Sequence, residues 1–169
     1  MIKYLLLVLL LSSTLSYGQT SKETAYKALE NLVGGTWLYE GQWGNGQKFK
    51  QEHIFEWGLN RQIMKVKTYG TVNQETGEYG LRNEGIRAWD TKTETVKFYE
   101  FDVLGGATIG DCVFEKDRFH YEYLYEIEGR QQLMRDTWKF VDKDTYLFSV
   151  NLKSGDEWKV FSSNEIKRQ

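Results

Sequence analysis

Two histidines, one cysteine and a few carboxylates set among aromatic residues are the side chains of this 169-residue chain that could do chemistry. His53 falls in the series Phe49, Gln51, His53, Phe55, Trp57, every second residue of one stretch. A neutral imidazole there could orient a polar ligand atom, move a proton or bind a haem iron axially. It could equally be a core histidine bonded to a neighbouring strand, since buried polar groups find partners. Asp136 interrupts the apolar series Met134, Trp138, Phe140. A carboxylate in such a lining must be paired or become neutral. Arg87, between Gly85 and Trp89, is one possible partner, although the facing of that segment is ambiguous. The two outcomes are a structural ion pair and an anchor for a ligand head group.

Tyr121, Tyr123 and Tyr125 form a stripe that either lines a cavity or fills it, an apolar ring with a hydroxyl suiting both. His120 alternates with Glu122 and Glu126 and is expected to be exposed, and Cys112 to be a buried small hydrophobe. The candidate ligand-binding set is therefore Gln51, His53, Arg87, Tyr121, Tyr123, Tyr125, Asp136 and Trp138. No nucleophile elbow, phosphate loop, Cys-x-x-Cys or His-Glu-x-x-His pattern occurs. Two histidines and one cysteine are too few for the usual nitrogen and sulfur zinc sites, and Asp142, Asp144 and Asp156 occupy turn positions. No catalytic residue set, metal or cofactor is expected from these patterns. The enzyme alternative is an isomerase or cyclase using His53 and Asp136 as an acid–base pair, which needs two groups of different pKa within reach of one substrate.

The elements that must position these groups read almost entirely as strands, because apolar and polar residues alternate between turn signals. A helix is predicted from Ser21 to Asn31, with Ser21 as its cap and Ala25, Ala28, Leu29 and Leu32 at helical spacing. Strands are predicted over Thr36 to Trp43, Gln47 to Trp57, Arg61 to Tyr69, Asn83 to Asp90 and Thr95 to Asp102. They continue over Ala107 to Phe114, Arg118 to Ile127, Gln131 to Val141, Thr145 to Leu152 and Glu157 to Lys167. Trp37, Tyr39 and Trp43 share one face of the first, which ends at the hairpin turn Gly44-Asn45-Gly46. Gly70 to Gly80 is read as a long polar loop. About ten strands with mostly hairpin connections, and no proline to interrupt a ladder, favour an up-and-down antiparallel barrel over a sandwich with crossovers. On the second and seventh strands Glu52, Glu56, Glu122 and Glu126 must face water, because a one-residue slip would bury them and expose the aromatic residues.

Residues 1 to 18 stand apart: Lys3, an apolar run from Leu5 to Leu11, then small and polar residues to Gly18. That is the pattern of a secretory signal peptide, too short in its apolar part to span a bilayer comfortably, leaving a domain over residues 19 to 169 and no integral membrane segment after cleavage. The expected location is the periplasm or the extracellular space. Loss of Lys3 takes the net charge from -2 to -3, which gives no electrostatic case for nucleic acid.

The run Leu32-Val33-Gly34-Gly35-Thr36-Trp37 joins the helix to the first strand. A helix, Gly-x-Trp and then only antiparallel strands resembles the calycin barrels: lipocalins, fatty-acid-binding proteins and nitrobindins. Trp89-Asp90, Phe101-Asp102 and Gly105-Gly106 also resemble features of a group of secreted bacterial barrels, a likeness that implies a fold and no chemistry. The lipocalin resemblance implies a basic side chain near the C-terminus over Trp37, for which Lys167 or Arg168 is placed. The Arg-x-Tyr pair of fatty-acid-binding proteins is missing from the last strand, and no histidine follows His120 to match the haem ligand of nitrobindins. The reading is an exported barrel holding a small apolar or amphipathic ligand; the rivals are the enzyme above and a filled barrel serving structure or interaction.

Overall fold

The computed structural model describes residues 21–42, 46–127 and 129–169. Trp43, the Gly44-Asn45 part of the first hairpin turn and the expected signal peptide lie outside the described residues. One helix, α1 (Lys22–Glu30), precedes ten strands: β1 (Thr36–Gln42), β2 (Lys48–Gly58), β3 (Ile63–Asn73), β4 (Glu78–Asp90) and β5 (Thr95–Asp102) form the first half. The second half is β6 (Ala107–Phe114), β7 (Arg118–Ile127), β8 (Arg130–Asp142), β9 (Thr145–Ser154) and β10 (Glu157–Arg168). Each strand pairs antiparallel with its sequence neighbours, and β1 pairs β10 to close the barrel. The all-β, up-and-down architecture expected from the alternation is the one observed.

The expected loop from Gly70 to Gly80 is not a loop. β3 and β4 continue their ladder through Gly70, Thr71 and Asn73, opposite Gly80, Tyr79 and Glu78. The turn itself is short: Asn73 Oδ1 accepts from the amides of Glu75 and Thr76, and the Gly77 amide returns to the Asn73 carbonyl at 2.9 Å. Polar composition suggested a loop, but Thr71, Val72 and Tyr79 keep strand propensity, and Thr71 pairs with Tyr79 across the hairpin with Val72 at a register shift.

The helix seals one end. Ser21 caps it by accepting from the Thr24 amide, and Gly34, at φ 84, turns the chain out of it in the left-handed region that other residues resist. Ala25, Leu29 and Leu32 are fully buried with Trp37 and Ile166. The Trp37 indole donates from Nε1 to the Leu32 carbonyl at 2.8 Å. Of the two basic residues that the resemblance offered, Lys167 and Arg168, it is Arg168 whose guanidinium lies 4.7 Å from the centre of a Trp37 ring. It donates to the carbonyls of Asn31, Val33, Gly34 and Lys143, so one side chain ties the helix exit and the β8–β9 turn to the final strand. Gly35 gives it room: a Cβ there would come 2.9 Å from the Arg168 side chain.

His120 is not exposed. It lies on the outer wall but is buried, held by Thr137 at 2.9 Å and Glu115 at 3.0 Å. Alternation placed it on the outer face correctly; burial came from the β6–β7 turn folding Glu115 back over it. Cys112 is buried in the core, where burial pushes its thiol up to about 12, so it stays a neutral apolar group.

Arg168→Ala should cost about 2–4 kcal/mol in urea unfolding, because it leaves several carbonyls without their donor and uncovers Trp37. Arg168→Lys should recover only part of this, since an ammonium cannot fork between them.

Candidate functional site

The inner wall is divided into a packed half and a hollow half. Beside α1, the rings of Phe119, Trp138 and Tyr146 pack in sequence, with Phe119 stacked on Trp138 at 5.9 Å and Tyr146 edge-on to Trp138 at 5.9 Å. Trp138 forms the floor above which a cavity of about 370 Å³ opens toward the other end of the barrel. All eight residues of the candidate set line this one cavity. Their strands carry them inward for the reason expected, since Glu52 pairs with Lys50, and Glu122 with Arg135, on the outer wall. Tyr121 is buried, Tyr123 half-buried, and Tyr125 half-exposed at the mouth.

His53 sits edge-on to Trp138 at 5.7 Å, and its Nδ1 shares a hydrogen bond with the Thr68 hydroxyl at 3.1 Å. Its Nε2 is buried and has no hydrogen-bond partner. Burial, assisted by the charge of Arg87, lowers its pKa to about 4, so the ring is neutral at ordinary pH.

Arg87 does face inward, but it does not pair with Asp136. Its Nη2 donates to Glu100 at 3.0 Å, and its guanidinium lies 4.4 Å from the Tyr121 ring centre and 5.1 Å from that of Phe98. Asn83 donates to the other Glu100 oxygen at 3.0 Å. Burial opposes the charge of Arg87, yet Tyr121 and Glu100 outweigh it and hold the guanidinium protonated. Asp136 instead accepts from the Tyr123 hydroxyl at 3.2 Å. Burial pushes its carboxyl up to about 7, and the nearby Glu100 adds to that against the opposing Tyr123 bond and Arg87 charge.

Glu100 was missed in the sequence because its strand carries aromatic residues on both faces. Val96 and Phe98 alternate with Tyr99 and Phe101, so periodicity alone does not choose the inner face there. The register Arg87↔Phe98 and Gly85↔Glu100 makes the choice. Thr68 and Asn83 are short polar residues whose inward facing likewise follows from pairing.

Chemically, the cavity offers aromatic walls, one Arg87–Glu100 ion pair, one neutral imidazole and one carboxyl pushed up to about 7. No family model matches the chain, and no curated protein matches its sequence.

The two shifted groups act on stability in opposite senses. From about pH 4 to 7 native Asp136 keeps a proton that the unfolded chain has released, so its contribution falls as pH rises through that window. His53 contributes stability above its unfolded value, about 6.5, that is lost as pH falls toward 4. Asp136→Asn should therefore stabilise the protein at about pH 8, by on the order of 2 kcal/mol in urea unfolding, with the gain vanishing near pH 4. In NMR titrations the His53 ring signals should stay flat from about pH 8 down to 5.

Proposed function

We propose that this chain is an exported, calycin-like carrier that holds a small apolar or amphipathic molecule inside the barrel. The observation that carries the reading is the blind cavity of about 370 Å³, floored by Trp138 and closed beyond it by the helix. Its size falls in the range of ordinary small-molecule sites, and such sites combine apolar walls with a few convergent polar groups. Here Phe55, Phe98 and Phe148 supply the walls, while Gln51, His53, Tyr123 and Asp136 supply the polar points. Export belongs to the same proposal through residues 1 to 18, as does kinship with lipocalins or with the secreted bacterial barrels, supported by the Trp37 opening and the Arg168 cover.

A second reading, the isomerase or cyclase type of enzyme, is favoured by one observation. His53 and Asp136 line the same cavity, and the carboxyl near 7 is suited to donate or take a proton at neutral pH. Its neutral, Thr68-bonded imidazole would then orient the substrate.

Native mass spectrometry of protein purified from its own host should show a bound small molecule, and N-phenyl-1-naphthylamine should bind with enhanced fluorescence. Val150→Trp, whose new ring projects into the cavity beside Asp136, should abolish dye binding while leaving the barrel's circular dichroism intact. A wild-type protein that takes up neither ligand nor dye would end the carrier reading. Recovery of a ligand chemically changed after incubation would favour the enzyme instead.

A further inference from the structure

We infer that the cavity takes a compact organic cation, the protonated amine of an aromatic or amphipathic molecule, with the Asp136 carboxylate as its counter-charge. This rests on the ligand-binding reading above and names the chemistry of that ligand. The starting point is an imbalance of partners on the inner wall. Glu100 has both carboxylate oxygens bonded, one by Arg87 and one by Asn83. Asp136 has no cation within ion-pair distance among the described residues; Tyr123 alone donates to it. Across the cavity and its mouth, the carboxylates of Glu100, Asp102 and Asp136 stand against the guanidinium groups of Arg82 and Arg87. With all five ionised the lining carries one net negative charge, and Asp136, unlike Glu100, has no cation beside it.

A charge withdrawn from water must be paired or neutralised. A ligand ammonium meets that need, and the rings around it suit a cation as well. Tyr121, Tyr123, Trp138 and Phe148 border the same space, and ring faces attract cations electrostatically. An anion would fare worse. The buried guanidinium, Arg87, is 3% exposed in its side chain and already paired with Glu100, which is 26% exposed, so an anion there would have to compete with a carboxylate.

Protonation of Asp136 competes with the ligand. The groups facing it are Tyr121 and Tyr123 from β7, uncharged Val150 from β9 and, across the lumen, His53, Arg87 and Glu100, with Arg82 and Asp102 also bordering the cavity; Cys112, paired with Tyr121 on β6, is buried in the core. Burial keeps both tyrosines and Cys112 neutral, His53 gains charge only near 4, and Arg87 and Glu100 offset one another. Asp136 is thus the group whose charge changes as pH rises toward and past 7, and amine affinity should rise with it.

The test uses three indoles of one shape in titration calorimetry on the purified protein: tryptamine, a cation; tryptophol, neutral; and indole-3-acetate, an anion. At about pH 8 tryptamine should bind at least roughly tenfold more tightly than tryptophol, with indole-3-acetate weakest, and the preference should shrink toward pH 5. Asp136→Asn should keep tryptophol affinity and lose the preference. Equal affinities, or a preference that survives in Asp136→Asn, would overturn the inference while dye binding left the carrier reading standing. If neither the dye nor any indole binds, both fall together. Should the variant not fold, wild-type protein in two buffers of different ionisation heat decides. Near pH 6.5 tryptamine uptake should expel a proton that tryptophol uptake does not, and equal proton release would overturn the inference.

Discussion

The Arg168 guanidinium lies over Trp37 while donating to carbonyls at the helix exit and in the β8–β9 turn. Three things depend on that arrangement. β1 and β10 meet through only three residue pairs, Trp37↔Arg168, Leu38↔Lys167 and Tyr39↔Ile166, so the seam that closes the barrel is shortest where Arg168 reinforces it. The C-cap of the helix, Asn31, has its carbonyl bonded by the same side chain, while the Leu29 and Glu30 carbonyls accept from the Leu32 and Val33 amides, so the end buried against the core is satisfied. Trp37, with its indole N–H bonded to Leu32, then fixes the layer against which Tyr146 packs edge-on at 5.2 Å.

From that anchored end the interior changes character along the barrel axis. Aromatic side chains fill the half beside the helix, as a small barrel can be filled by its own residues. Toward the mouth the inward positions pass to Thr68, Asn83, Glu100, Thr108 and Asp136, shorter or polar groups that leave space. The question of a filled or hollow barrel thus has a divided answer, with Trp138 at the boundary. The polar groups are costly to bury, and the barrel meets that cost unequally. Glu100 has both oxygens bonded, by Arg87 and Asn83, whereas Asp136 keeps one hydroxyl partner and the Nε of Arg87 and Nε2 of His53 keep none. Residual dissatisfaction of this kind concentrates where a structure meets something other than itself.

Much of the fold was legible because a strand's side chains alternate with a period of two, and a wrong facing would bury carboxylates. His53 and the tyrosine stripe faced inward, and the four glutamates of β2 and β7 outward, on that ground alone. The helix, its Ser21 cap and the Gly34 exit were legible from local chemistry. The segment from Gly70 to Gly80 was not: its polar composition concealed a continued ladder whose stability comes from a partner strand rather than from its own residues. His120 was assigned the right face and the wrong burial, because no alternation records a turn folding back over the outer wall.

What the sequence determined by itself is whatever depends on neighbours along one strand or one helical turn: strand number, facing where the alternation is clean, the cap, the Trp37 opening and part of the inward polar set, His53 and Asp136 among them. What only the tertiary structure decided is how those residues divide their partners. Arg87 was free, in sequence, to choose Asp136; the β4–β5 register instead sets Gly85 opposite Glu100 and gives Arg87 to Glu100. The hollow above Trp138 and the carboxyl left without a cation are likewise products of closure. Distances across a barrel follow from register and curvature summed over ten strands, and no period within a single strand contains them.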